Sequence, residues 1–106
     1  MPKYMYEINY TLDGVKGVVS KGGSARQAAA RAVAESVGGT LESFLFAFGG
    51  IDAYVVVDLP DNAAAATVGL AVSAGGGATA KTVVLLTPEE IDDATKRDVQ
   101  YTPPGR

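Results

Sequence analysis

Apolar and polar residues alternate from the start of the chain. Between Lys3 and Thr11, Tyr4, Tyr6, Ile8 and Tyr10 take one set of alternate positions, and Met5, Glu7, Asn9 and Thr11 the other. A period of two enriched in aromatic residues predicts a strand with one face turned to a core. Four glycines punctuate Leu12–Gly23, which reads as a loop with room for a short helical turn around Val15–Val19. From Ser24 the period changes. Ala25, Ala28, Ala29, Ala32, Val33 and Val37 recur at helical spacing, with Arg26, Arg31 and Glu35 off that stripe. Ser24 and Gln27 have the spacing of a capping box, and Gly38-Gly39 supplies a left-handed stop.

Thr40–Phe48 and Ile51–Leu59 are two further apolar runs, separated by Gly49-Gly50. Such a link predicts a tight hairpin, because primed turns need positive φ. The implied register sets Phe48 opposite Ile51, Phe46 opposite Ala53, Phe44 opposite Val55 and Glu42 opposite Val57. One face then carries Phe44, Phe46, Phe48, Ile51, Ala53, Val55, Val57 and Leu59, apolar enough to lie under helices. The other carries Leu41, Ser43, Leu45, Ala47, Asp52, Tyr54, Val56 and Asp58. Pro60-Asp61-Asn62 stops the strand and caps a second helix from Ala63 to about Ala74, ended by Gly75-Gly76-Gly77. Ala78–Thr87 is the last strand. Thr87-Pro88-Glu89-Glu90 opens a short acidic helix reaching about Arg97, with Pro at its first position and Glu at its third.

The element order β-α-β-β-α-β, joined by right-handed crossovers, gives an α+β fold. Its four-stranded antiparallel sheet has order 4-1-3-2, with both helices on one face. Residues 1–98 form a single domain and 99–106 an extended tail. Between Asp61 and Glu89 the only charge is Lys81, so the second helix lacks the polar outer stripe of a solvated helix. The open sheet face carries Leu45, Ala47, Val56 and Met5, too apolar to stay wet. A second copy of the chain is the simplest cover, and a homo-oligomer, dimer or higher, is expected.

Composition narrows the chemistry. The 106 residues include no Cys and no His, which excludes a disulfide framework, a thiolate nucleophile, a Ser–His triad, His-ligated haem and a structural zinc site. No cofactor is expected. A net charge of −3 argues against nucleic acid as a partner. The first residues lack an apolar signal-peptide core, and the uncharged stretch Asn62–Ala80 is too rich in Ala, Gly, Thr and Ser for lipid. The expected setting is cytoplasmic, with no membrane contact.

Four stretches carry a resemblance to a known family. "MPKYMYEINYT", "GVKGVV", "KGGSARQAAARAVAESVGGTLESFLFAFGGIDAYVVVDLPDNAAAA" and "LLTPEE" are similar, in matching order, to the GYD domain family. The resemblance implies a ferredoxin-like fold of the dimeric α+β barrel kind and no established activity. Gly49 and Asp52 match the family signature, while the tyrosine expected between them is Ile51 here, a packing swap on the helix side in the register above. In barrels of this kind two sheets face each other and enclose a cavity that takes small apolar or aromatic ligands.

The best candidate ligand-binding face is therefore the open side of the sheet. Glu7 and Asn9 on the first strand should neighbour Tyr54, with Asp52 and Asp58 towards the two ends of the third strand. A carboxylate in an apolar setting can serve as general acid or base, and Tyr54 can donate to a developing oxyanion. The blander reading is that Glu7 and Asn9 satisfy each other or a partner chain and Asp52 caps its own turn. A hard cation held by Glu7, Asp52 and Asp58 is not expected, because the strands scatter them. Lys21-Gly22-Gly23-Ser24 with Arg26 could hold an anion, but lacks P-loop spacing, and a structural cap by Ser24 is preferred. Gly75-Gly76-Gly77 reads only as a turn. RNA recognition is rejected, because Ile51–Asp58 lacks the basic-glycine-aromatic signature and carries two Asp. Two functions stay open: a small-molecule-binding oligomer that uses the open face, or a non-catalytic regulatory or assembly module in which that face is only a subunit interface.

Overall fold

The alternation in the first segment becomes β1 (Lys3–Tyr10), a central strand of a four-stranded sheet. A computed structural model describes all residues, Met1–Arg106. After β1 come α1 (Leu12–Lys21), α2 (Gly23–Ser36), β2 (Thr40–Phe46), β3 (Ala53–Asp58), α3 (Asn62–Ala74), β4 (Ala78–Leu85) and α4 (Pro88–Thr95). The sheet runs β2-β3-β1-β4 with every neighbouring pair antiparallel, the expected order read from its other edge. The α+β architecture is that of a ferredoxin-like fold. No helix is long and apolar enough to cross a membrane.

The even-numbered residues of β1 face the helices. Tyr4, Tyr6 and Ile8 are buried with Ala53, Val55, Val57 and Leu59, beneath Ala34 of α2 and Ala65 and Val68 of α3. Burying a tyrosine requires a partner for its hydroxyl. Tyr4 donates to Asn62 Oδ1 at 2.6 Å and Tyr6 to the Ala65 carbonyl at 2.6 Å, so both phenols pin the start of α3 to the central strand. Burial, with a smaller contribution from Tyr4, pushes the Tyr6 phenol up to about 12.

Leu12–Lys21 is a ten-residue helix, not a loop. Its glycines lower helix propensity, but Thr11 caps it by accepting from the Gly14 amide at 3.3 Å. Tertiary contacts decide the rest. The Thr11 amide donates to the Gly77 carbonyl at 3.1 Å and its hydroxyl to that of Gly76 at 2.8 Å. A Cβ on Gly14 would collide with the Gly77 carbonyl, so this glycine allows α1 to approach the α3–β4 turn.

The capping box expected at Ser24 does not form. Gly22, at φ 85°, both closes α1 through a 2.7 Å bond to the Val18 carbonyl and stands as N-cap of α2, without a side-chain cap. A glycine already reverses the chain there, which leaves Ser24 inside the first turn and exposed. The buried stripe of α2 is also rotated. Ala30, Ala34, Val33 and Val37 pack inward, whereas Ala25, Ala28 and Ala32 are exposed. The end of α2 is as read: Gly38, at φ 84°, donates to Glu35 at 3.1 Å and Gly39 to Ala34 at 2.9 Å.

The β2–β3 link departs from the expected hairpin. Phe46 pairs with Ala53 and Phe44 with Val55, but the connection runs through Ala47–Asp52 and neither Gly49 nor Gly50 has positive φ. Asp52 bonds to both neighbouring segments: its amide donates to the Ile8 carbonyl at 2.9 Å and its carbonyl accepts from the Ala47 amide at 2.9 Å, whereas Phe48 and Ile51 beyond it leave the predicted pairing. Phe48 is fully exposed, and Ile51 is half-buried outside the core instead of packing beneath the helices. Phe46 stays on the helix side at the sheet edge, with its ring against Phe44 at 5.1 Å and Tyr10 at 6.3 Å.

A bulge between Leu41 and Ser43 overturns the register at the other end. Leu41, not Glu42, stands opposite Val57 and packs against the core. The uninterrupted pairing would have placed the Glu42 carboxylate beside buried Val57. One extra residue exchanges that cost for a partly buried leucine packed against the core.

Asp61 caps α3 by accepting from Ala64 at 2.9 Å, and Gly76 turns the chain into β4 at φ 76°. Thr87 and Glu90 form the full capping box of α4 behind Pro88. That helix buries no residue. The chain extends 56 Å along its longest axis, with a radius of gyration of 16.7 Å. A compact chain of this length has about 13 Å.

Candidate functional site

Strand pairing places the open-face side chains in rows across the sheet. Leu45, Tyr54, Glu7 and Lys81 form the middle row, because Leu45 pairs with Tyr54, Tyr54 with Glu7 and Glu7 with Lys81. Ser43, Val56, Met5 and Val83 form the next row by the same pairings. Adjacent strands stand about 4.8 Å apart, so each row is a line of touching neighbours. Leu45 is 65% exposed and Tyr54 36%, leaving an apolar strip open beside two side chains of opposite charge. Glu7 and Lys81 form no ion pair within the chain, so both keep hydrogen-bonding capacity for something outside it.

The five sequence-predicted residues separate into two kinds. Glu7 and Tyr54 are direct cross-strand partners, and Asn9 lies one row further along β1, opposite Thr79. These three share the open face. Asp52 sits in the β2–β3 connection, where its carboxylate accepts from the Tyr10 amide at 2.9 Å. Together with its own amide bond to Ile8, this extends the β1–β3 ladder beyond the last strand pair and fixes the end of β1. Asp58 lies at the opposite end of β3, 2.9 Å from Lys3 Nζ, and Lys3 also reaches Glu42 Oε2 at 3.1 Å. The hydrogen bond it donates to Asp58, then that to Glu42, raises the exposed Lys3 ammonium above its ordinary value. Glu7, Asp52 and Asp58 do not gather into a metal-binding cluster.

Two features were not read from the sequence. The Lys3–Asp58–Glu42 group depends on the bulge at Glu42, which no turn residue announces. Lys81 joins the Glu7–Tyr54 row through the β1–β4 register, and its isolation in an uncharged stretch was the available signal.

Two concavities lie on the other side of the sheet. A cavity of about 90 Å³ opens between α2 and α3, above Tyr6, Ile8 and Val55. It exists because the facing helical positions are small, with Ala29, Ala30 and Ala34 on one side and Val68 and Val72 on the other. A wider groove of about 500 Å³, bordered by α1, adjoins it and shares Tyr10, Arg26, Val33 and Val72 with it.

The family model of the GYD domain matches residues 4–95. The chain belongs to the GYD domain family. That match runs from the second residue of β1 to the last of α4, so the residues of the sheet, the helix-side cavity and the open face lie within the matched segment. No curated protein and no solved structure matches the chain. In this GYD domain Gly49, Ile51 and Asp52 all belong to the β2–β3 connection, and Asp52 alone among them bonds to β1 through both its backbone and its side chain.

Proposed function

We propose that this GYD domain is a self-assembling small-molecule-binding protein. In this reading, subunits cover one another's open sheet faces and enclose a small apolar or aromatic ligand beside Glu7, Asn9 and Tyr54. The carrying observation is the uncovered strip of Leu45, Tyr54, Val56, Met5 and Val83, which surrounds a glutamate and a lysine that have no partner in their own chain. A contiguous apolar sheet face of this kind marks an interface or a ligand site. The chain after β4 supports assembly as well. Ile91, Val99 and Tyr101 stand exposed on a helix and tail that bury nothing in their own domain, as an arm reaching for a neighbouring subunit would.

Within the pocket, Tyr54 and Glu7 offer a phenolic donor and a carboxylate acceptor side by side, which would orient a ligand through one polar group. The second reading is a regulatory or assembly module whose open face is a filled subunit contact. It is favoured by the engagement of Asp52 and Asp58 within the chain, which removes two of five candidate ligand contacts. Native mass spectrometry of protein purified from its source tests both. A dimer or higher oligomer that releases a small molecule on denaturation supports the ligand-binding reading. An assembled but ligand-free protein supports the module, and a bare monomer overturns the proposal.

A further inference from the structure

The cavity between α2 and α3 lies on the face of the sheet opposite the proposed subunit contact, and it carries its own chemistry. Of the fifteen residues that line it, fourteen are hydrophobic and the remaining one is Arg26. A concave apolar site with a few placed polar groups is the usual form of a small-molecule pocket. Arg26 makes no ion pair and no side-chain hydrogen bond in the chain, and the same holds for Lys21, which borders the adjoining groove. The only other charged group on that groove is Asp13, so its lining carries a net charge of +1 (Lys21 and Arg26 against Asp13). Tyr10 lines both spaces, and its hydroxyl has no hydrogen-bond partner in the chain.

We propose that this interhelical cavity binds a small monocarboxylate with an apolar body. The hydrocarbon part enters between Val33, Val68 and Val72, and the carboxylate stays at the mouth with Arg26, assisted by Lys21 and the Tyr10 hydroxyl. Charge and shape select the class together. An apolar interior with no polar group repels an ion, so the charged end must remain where the guanidinium is. Guanidinium takes a carboxylate in paired hydrogen bonds, which suits a single planar anion. A dry apolar cavity of roughly 150 Å³ takes a benzene ring. The 90 Å³ here, open into the groove, suits a ring or short alkyl chain that is only partly enclosed.

Titration of the purified protein with benzoate and with hexanoate, followed by methyl NMR, tests the site. Saturable shifts are expected at Val33, Val68 and Val72, with benzyl alcohol binding more weakly than benzoate. Arg26→Gln should weaken the anion by about tenfold while leaving the spectrum of the free protein intact, because Arg26 is exposed and unpaired. Ala30→Leu should fill the cavity and remove binding of both anions. Absence of saturable shifts at millimolar ligand would overturn the proposal, as would shifts confined to Leu45, Val56 and Val83 or affinity unchanged in Arg26→Gln. Those open-face shifts would favour the open sheet instead, so the two sites are distinguished by which methyl groups respond.

Discussion

The two faces of one sheet share strands, register and twist, yet they differ in every property that matters here. On the helix side, Tyr4, Ala53 and Leu59 are within 1% of complete burial and the hydroxyls of Tyr4 and Tyr6 each have a partner within the chain. On the open side, the same strands show Leu45, Tyr54 and an unpaired Glu7 to their surroundings. The difference arises from side-chain alternation alone, since successive residues of a strand point to opposite faces. It teaches that the fold of this GYD domain is secured on one side, while the other leaves apolar and charged side chains open to their surroundings. The helix side is also incompletely filled, and its gap lies where alanines replace the larger residues that would close it.

Substitutions that strike one face only should separate these roles. The largest effect is expected from Leu59→Ala on the helix side. Leu59 is fully buried, so its truncation should remove about 2–5 kcal/mol in urea unfolding, approaching the whole stability of a small domain. Tyr6→Phe should cost less, about 1 kcal/mol, for the lost bond to Ala65. It should also change the alkaline limb of stability. The Tyr6 phenol titrates near 10 in the unfolded chain and at about 12 in the folded one, so its contribution is complete below pH 10 and is lost as pH rises towards 12. Unfolding midpoints measured through that window should fall less steeply in Tyr6→Phe than in the parent. The smallest effect on chain stability belongs to the open face. Leu45→Asp should move the unfolding free energy of the isolated subunit by no more than about 0.5 kcal/mol, because its side chain already meets solvent there.

What the sequence made legible follows the same division. Strict alternation in Lys3–Tyr10 and the Phe44/Val55 and Phe46/Ala53 pairs carried the sheet order and the inward face correctly. Local capping signals located α3 and α4, because Asp61 and Thr87 have no competing glycine beside them. The same logic failed at Ser24, where Gly22 had taken the cap, and in α1, whose glycines serve a close approach to Gly77 rather than a loop. Glycine identity reports conformational freedom without saying whether the chain uses it for a turn or for contact. Alanine in α2 misled for a related reason: with apolar residues on several sides, the spacing does not single out the face that packs. The bulge at Glu42 and the capture of Asp52 by β1 are both long-range, and they decide which acidic residues remain available on the open face. Glu7, Asn9 and Tyr54 were placed together correctly because they depend only on alternation and the central pairing.

The claim that the open sheet is covered by another copy of the chain has a direct test in sedimentation velocity at micromolar protein. The parent should sediment as a dimer or larger assembly, and Leu45→Asp should sediment as a folded monomer with an unchanged circular dichroism spectrum. A parent chain that remains monomeric under those conditions would contradict the account.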